Sequence, residues 1–564
     1  MFLPTTRNEL EKLGWERCDV IFVTGDSYID SPTHGAALLG KWLHRHGFRV
    51  GIIAQPDIQS PGDITRLGEP ALFWGVTGGN VDSMVANYTA LNKKRRQDDY
   101  TPGGVNNRRP DRAVIVYSNL IRRYFKHTVP IVLGGIEASL RRIAHYDFWS
   151  NRVRRSILFD AKADFLVFGM GERAVIDMAQ RLQRGDRLEN VRGICTISKE
   201  ARQDYLQLPS FEASASDKRT FIEMFRLFYE NNDPKTAQGL RQKHGDRWLE
   251  QNPPADPLGI KELDDVYSLE FELEAHPFYR QQGHIRALDT IRFSITTHRG
   301  CYGECNFCAI TVHQGRTIQS RSEASILAEA YRMTRHPRFT GIISDVGGPT
   351  ANMYGYDCPR KVTTGACTDK RCLAFHMCQS LKPSHKAQIN LLRKIRGLTG
   401  VKKVFVSSGI RYDLIECDEE FGDAYVQEIV EFHVSGQLKV APEHSEEHVL
   451  KLMGKPAVES LRQFKKKFDE KSKKAGKQQF LTYYFIAAHP GCTERDMDKL
   501  KQFVRRDLKM NPEQVQIFTP APGTWASVMY YTEIDPFTGR KIFVEKNPKK
   551  KEWQKWIVTR KNTL

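Results

Sequence analysis

Residues Arg299 to Ile310 read R-G-C-Y-G-E-C-N-F-C-A-I and set Cys301, Cys305 and Cys308 in a C-x3-C-x2-C spacing. Three thiolates this close in one loop can each take a corner of a cubic iron–sulfur cluster, and the motif then offers the fourth iron no protein ligand. An iron with an open position binds a small molecule, which makes the cluster a catalyst as well as an electron carrier. Two plainer readings compete. Structural zinc normally takes four ligands, often from two C-x2-C pairs, and no fourth partner stands beside this triplet. Free cysteines also serve as small buried hydrophobes, yet three of eleven cysteines falling at this spacing favours a cluster. Phe307, just before the third cysteine, would shield one face of it.

The rest of the chain has to house such a site. Its 564 residues are enough for two to four domains, and 40% hydrophobic with 27% charged residues is the balance of a globular protein. No apolar run reaches about 18 residues, so no membrane partner is expected. The start, M-F-L-P-T-T-R-N-E-L-E-K-L, lacks a signal-peptide core, and cytoplasm is the expected compartment. Cysteines bunched mid-chain fit metal chemistry better than a disulfide framework. The formal charge of +18 admits a polyanion such as nucleic acid as partner, although no recognisable RNA-binding module accompanies it and each basic run alone reads as a solvated face.

C-x3-C-x-aromatic-C resembles the signature of the radical S-adenosylmethionine (radical SAM) superfamily. That resemblance implies a 4Fe-4S cluster held by three cysteines and an exchangeable S-adenosylmethionine. Its amino and carboxylate groups chelate the open iron, and an electron from the cluster releases a 5′-deoxyadenosyl radical that takes hydrogen from a substrate. It also implies an electron donor such as flavodoxin or ferredoxin.

Before the loop, residues 1–197 predict a doubly wound parallel α/β sheet. Strands are expected within Cys18–Ala54 and at Ala71–Trp74, Ala113–Tyr117, Pro130–Leu133 and Asp164–Phe168, with a helix over about Gly35–His46. The loops G-D-S-Y-I-D-S-P-T-H-G, L-G-G-I-E-A-S and F-G-M-G-E fall at strand ends, where such sheets bind ligands. The domain is similar to that of cobalamin-binding radical SAM enzymes. The D-x-H-x-x-G ligand motif is absent around His34, so cobalamin is not expected. Residues 198–286 read as a helical and extended linker.

Residues 287–526 predict six β/α units, a partial (β/α)6 barrel, with strands near Ile291–Thr296, Gly341–Val346, Lys403–Ser408, Gln437–Ala441, Phe480–Ala487 and Gln514–Thr519. Motif-like loops follow each. Gly347 and Gly348 in D-V-G-G-P-T remove side chains so that carbonyls can approach a ligand amine, similar to the superfamily's GGE-like motif with Pro349-Thr350 in place of the acid. Ser408 and Arg411 in V-S-S-G-I-R-Y-D are candidates for ribose and carboxylate, Glu443 in V-A-P-E-H-S for a ribose hydroxyl, and His444 for the pocket wall. F-I-A-A-H-P-G-C-T and F-T-P-A-P-G-T-W-A complete the set. Any one is explained as a turn or a surface ion pair; six in order are not, because a barrel makes such tips converge.

With G-R-T-I-Q-S-R-S-E after the cysteine loop, Asp289–Ala526 resembles the YgiQ-like radical SAM family. Cys358, Cys367, Cys372 and Cys378 lie in an insertion over 351–383 and form a second candidate metal site for zinc or a further cluster, against a null of reduced thiols in a long loop. The tail, 527–564, is basic and aromatic; P-K-K-K-E-W-Q-K-W could stack on bases or pack on the barrel. The function expected is radical catalysis on an unidentified substrate. The alternatives are an RNA-modifying or methylthio-transferring enzyme and a non-catalytic iron–sulfur redox protein.

Overall fold

The computed structural model describes residues 1–368 and 371–560, so positions 369–370 of the cysteine-rich insertion and 561–564 of the tail lie outside the described residues. The chain divides into two units, Met1–Arg292 and Phe293–Leu564.

The first unit is built on a sheet of nine strands: β1 Val20–Thr24, β2 Val50–Ala54, β3 Phe73–Thr77, β4 Ile131–Gly134, β5 Phe165–Val167, β6 Ile194–Ser198, β7 Leu206–Leu208, β8 Leu240–His244 and β9 Arg247–Gln251. Their order is β7-β8-β9-β6-β5-β4-β3-β1-β2. From β2 to β5 every pairing is parallel. Strand β1, V-I-F-V-T, is buried at all five positions, as a strand covered on both faces requires. Helices Gly35–Arg45 and Glu172–Arg184 pack Ala36, Ala37, Leu43, Val175 and Met178 against Val20, Phe22, Val50 and Ile52.

Two expectations need correction here. Ala113–Tyr117 is not a strand but opens the helix Ala113–Tyr124. The run A-V-I-V-Y looks extended because it is short and β-branched, but the buried positions Ala113, Val114, Tyr117, Leu120 and Ile121 follow a helical period. The span 198–286 is not merely a helical linker, since β7, β8 and β9 extend the main sheet. β8 and β9 form a hairpin around Gly245-Asp246, with His244 facing Arg247 and Gly245 at φ +64°.

The second unit carries β10 Ser294–Thr296, β11 Ile342–Ile343, β12 Asp345–Gly347, β13 Lys403–Val404, β14 Gln437–Glu443, β15 Phe480–Ala487 and β16 Gln514–Ile517, with β11 and β12 successive stretches separated only by Ser344. β10 pairs with β12, β11 with β13, β14 with β15 and β15 with β16, all parallel. A parallel bridge from Ile410 to Val440 joins the β13 segment to β14. Strand β15 alternates, with Leu481, Tyr483, Phe485 and Ala487 buried. The helix Lys386–Arg396 has His385 as its N-cap. The tail is structured, as helices Trp525–Thr532 and Pro548–Thr559. Among the described residues no helix is long and apolar enough to cross a membrane.

Candidate metal centre at the strand ends of the second unit

The loop that follows β10 leaves it through an antiparallel neck, His298–Arg299 against Gln319–Ser320. Gly300 sits in the neck at φ +80°, and a Cβ there would lie 2.2 Å from the Thr317 carbonyl, so only glycine fits. Inside the loop Cys301, Cys305 and Cys308 are half-buried. Gly303 lies between them: its N–H donates to Cys301 Sγ at 3.3 Å, and a Cβ would stand 3.1 Å from Cys301 Sγ and 3.6 Å from Cys305 Sγ. Burial and the neighbouring Cys305 thiolate both push the Cys301 and Cys308 thiols up, Cys308 to about 12. Thiols raised in this way are relieved by a shared cationic centre.

Loops from the neighbouring strands reach this triplet. Thr350, which ends D-V-G-G-P-T, brings Oγ1 to 3.7 Å from Cys301 Sγ. Arg411 sets Nη1 3.7 Å from Cys305 Sγ, donates from Nε to Asp413 Oδ1 at 2.8 Å and from Nη2 to the other Asp413 oxygen at 2.5 Å, and donates from Nη2 to the Leu373 carbonyl at 3.2 Å. The guanidinium is therefore a fixed positive charge on the cluster loop. Gly347 and Gly348 lie at the end of β12, but the Gly347 carbonyl already accepts from Thr297 N at 2.7 Å and from Thr297 Oγ1 at 3.1 Å. A Cβ at Gly347 would meet Ser408 Oγ at 2.4 Å, and one at Gly348 the His298 ring at 2.7 Å. Both glycines let adjacent loops close on each other. Exposed Ser408 stands over Asp345, whose Oδ1 accepts from Ser407 N at 2.7 Å and Ser408 N at 3.1 Å. Gly348→Ala is expected to cost on the order of 1–3 kcal/mol as an overpacked contact and to lower cluster loading, read as melting temperature and iron per chain.

Glu443 closes β14 in the left-handed region, φ +68°, where the register with β15 slips. A non-glycine residue held there is strained, and such strain gathers at functional sites. Burial pushes its carboxyl to about 7 despite Lys455, 3.7 Å away. His444 is a wall residue tied to structure: its Nδ1 accepts from Glu446 N at 3.0 Å, its Nε2 lies 3.5 Å from Cys492 Sγ, and burial holds it neutral. His489, of the H-P-G-C-T loop, meets the Phe307 ring edge-on at 6.2 Å.

Sequence reasoning missed the support behind the loop. Glu304, between the first two cysteines and at φ +45°, is buried and paired with Arg316 at 2.8 Å and Lys361 at 3.1 Å. Arg316 Nη2 donates to the Cys367 carbonyl at 3.1 Å, and Lys361 Nζ to the Arg316 carbonyl at 2.7 Å. Asn306 donates from its backbone N–H to the Met453 carbonyl at 2.9 Å and from Nδ2 to the Leu452 carbonyl at 2.7 Å, and its own carbonyl accepts from Ala526 N at 2.8 Å. The insertion 351–383 thus clamps the cysteine loop. Within it Cys358 and Cys372 pack with Tyr302, Tyr356 and Leu373, and burial pushes the Cys372 thiol to about 11. Cys367 is buried and Cys378 half-buried.

In the first unit, polar side chains gather at the carboxyl ends of β1, β3 and β4. Arg109 pairs with Asp26 at 2.7 Å and Asp98 at 3.0 Å, and donates to the Gly78 carbonyl at 2.6 Å. His34 lies 3.7 Å from Asp26 and is kept neutral by burial.

Comparison with known proteins fits this arrangement. The family model described as radical SAM N-terminal matches residues 2–294. A UPF0313 protein of Fusobacterium nucleatum is 56% identical over 561 residues, covering 99% of both chains. The chain belongs to the UPF0313 family. A UPF0313 protein of Thermotoga maritima is 50% identical over 97% of each chain. The likeness to the YgiQ-like radical SAM family, drawn from the cysteine loop, holds. Solved structures share the fold of this UPF0313 chain at low identity. One is TsrM of Kitasatospora setae, a radical S-adenosylmethionine methyltransferase with cobalamin and a 4Fe-4S cluster bound (TM-score 0.50, 14% identity, 91% of this chain and 77% of that one). Another is the cobalamin-dependent OxsB with aqua-cobalamin bound (TM-score 0.50, 12% identity, 92% and 56%). These correct one expectation. Cobalamin was set aside for want of D-x-H-x-x-G, but chains that carry cobalamin share this fold over nine-tenths of the UPF0313 chain, so the missing motif does not exclude it.

Proposed function

We propose that the chain is a radical SAM enzyme in which Cys301, Cys305 and Cys308 hold three irons of a 4Fe-4S cluster and S-adenosylmethionine takes the fourth. The observation that carries this is the set of three half-buried cysteines in one loop, two of them closing on Gly303 and one faced by the Arg411 guanidinium. When bound, the cluster and nucleotide supply one-electron cleavage of a sulfonium and abstraction of hydrogen from a substrate.

The chain's own residues hold, orient and seal. The parallel segments β10–β16 are read as a partial (β/α)6 barrel whose tips converge on the triplet. Arg411, locked by Asp413, offsets the thiolate charge. Glu443 is the candidate acceptor for a ribose hydroxyl, and Ser408 over Asp345 the candidate second polar contact. Phe307 and His489 exclude water from one side. Cobalamin enters as a candidate second cofactor of the first unit, supported by the shared fold and by the loops at its strand ends. A small electron-transfer protein of the flavodoxin or ferredoxin class is the proposed donor.

The test is product formation. Protein reconstituted without oxygen, reduced and given S-adenosylmethionine is expected to release 5′-deoxyadenosine well above a Cys301→Ala/Cys305→Ala/Cys308→Ala control. Equal traces from both, with or without cell extract, would refute the reading. Retention of an added corrinoid through gel filtration checks the second cofactor.

A further inference from the structure

We propose that the exposed face of the C-terminal helix Pro548–Thr559 binds single-stranded nucleic acid. The helix has two unlike faces. Lys551, Gln554, Ile557 and Val558 are buried, with Lys551 Nζ donating to Tyr530 OH at 2.7 Å. Opposite them, Lys549, Trp553, Trp556 and Arg560 follow at steps of four, three and four residues and so form one stripe. Trp553 and Trp556 are 45% and 44% exposed, and their rings stack at 4.6 Å and 24°. Arg560 covers the Trp556 ring at 4.8 Å.

A half-exposed, stacked tryptophan pair between cations is a platform for bases. Every base has a π-face, and lysines at either side track the phosphates. Charge supports this occupant: residues 540–560 hold eight Lys and Arg against two Glu. An apolar protein partner would leave Lys549, Lys550 and Lys555 at the interface against the single exposed acid of the helix, Glu552, whereas a polyanion satisfies the excess of cations.

The buried face of the same helix is wired to the site. Gln554 Oε1 accepts from Ala488 N at 3.0 Å, and Gln554 Nε2 donates to the Cys492 carbonyl at 3.5 Å. Gly491 N donates to the Phe543 carbonyl at 2.7 Å, which ties the half-exposed Phe543 to the same loop. That loop carries His489, whose ring meets Phe307 beside Cys308.

The test is fluorescence anisotropy of the full chain with a labelled single strand of about ten nucleotides, in separate RNA and DNA arms. Wild type is expected to bind in at least one arm. Trp553→Ala/Trp556→Ala is expected to weaken that binding about tenfold or more, in line with base–aromatic stacking. Lys549→Gln/Lys550→Gln is expected to lower the slope of log affinity against log salt by about 1.4, at roughly 0.7 per phosphate contact. The lysines are exposed, so this second variant decides the matter if the first fails to fold. No binding by wild type in either arm, affinity and salt slope unchanged in both variants, or a tryptophan-dependent homodimer instead would overturn the proposal. None of these outcomes depends on a loaded cluster, so their failure is separate from that of 5′-deoxyadenosine release.

Discussion

Alanine at Cys301, Cys305 and Cys308 together is expected to take iron from about four per chain to none while leaving the chain folded. The loop's shape does not depend on the sulfurs. Its neck is set by Gly300 and the His298–Ser320 pairing, and its back by Asn306 and Glu304. The sulfurs instead stand in a half-buried space where burial and the neighbouring Cys305 raise the Cys301 and Cys308 thiols, so the ionised forms of those two are costly without a cation beside them. A single change, Cys305→Ala, is expected to lose most of the iron as well. Cys305 is the sulfur beside Arg411 and the neighbour that raises both others. Iron per chain by metal analysis, with the cluster's visible absorbance, reads both variants. Full iron in the triple variant would place the cluster elsewhere.

The sequence made this centre readable because ligand spacing within one loop is local. Three cysteines in eight residues need no knowledge of the fold to be recognised. The strand ends were readable for a related reason, since β12, β14 and β15 are short apolar runs closed by glycine, proline or acid. What stayed hidden depends on distance along the chain. Glu304 reads as an ordinary polar spacer in C-x3-C, and its partners are 12 and 57 residues away, one of them inside an insertion whose cysteines drew attention first. The left-handed turn at Glu443 has no glycine or asparagine to announce it. Ala113–Tyr117 was misread because five residues, four of them β-branched or aromatic, carry too little periodicity to separate strand from helix. β8 and β9 were passed over because the charged L-R-Q-K-H and R-W-L-E-Q mask their alternation. The Gly245-Asp246 step between them was the usable signal.

Glu304→Gln is expected to be the most damaging single change away from the sulfurs. Glu304, Arg316 and Lys361 are almost wholly removed from water, with side-chain exposures of 0%, 6% and 2%. Burial alone would raise the Glu304 carboxyl, but the charges of Arg316 and Lys361 outweigh it and hold the acid ionised. Removing the carboxylate charge takes from both buried cations the anion they share. Breaking a buried pair from one side costs about 3–5 kcal/mol, which corresponds to a fall in melting temperature on the order of 10 °C for a unit of this size. The loss is directed at the cluster, because Glu304 is the residue before Cys305 and its carbonyl lies 3.4 Å from Arg371 Nη1. Iron loading should therefore fall together with stability. A double-mutant cycle separates this from simple loss of a side chain: Glu304→Gln with Lys361→Met removes one charge of each sign and should recover part of the stability lost by Glu304→Gln alone. If Glu304→Gln melts and loads iron like the unaltered chain, the clamp formed by the insertion is packing only, and its charges do not hold the cysteine loop.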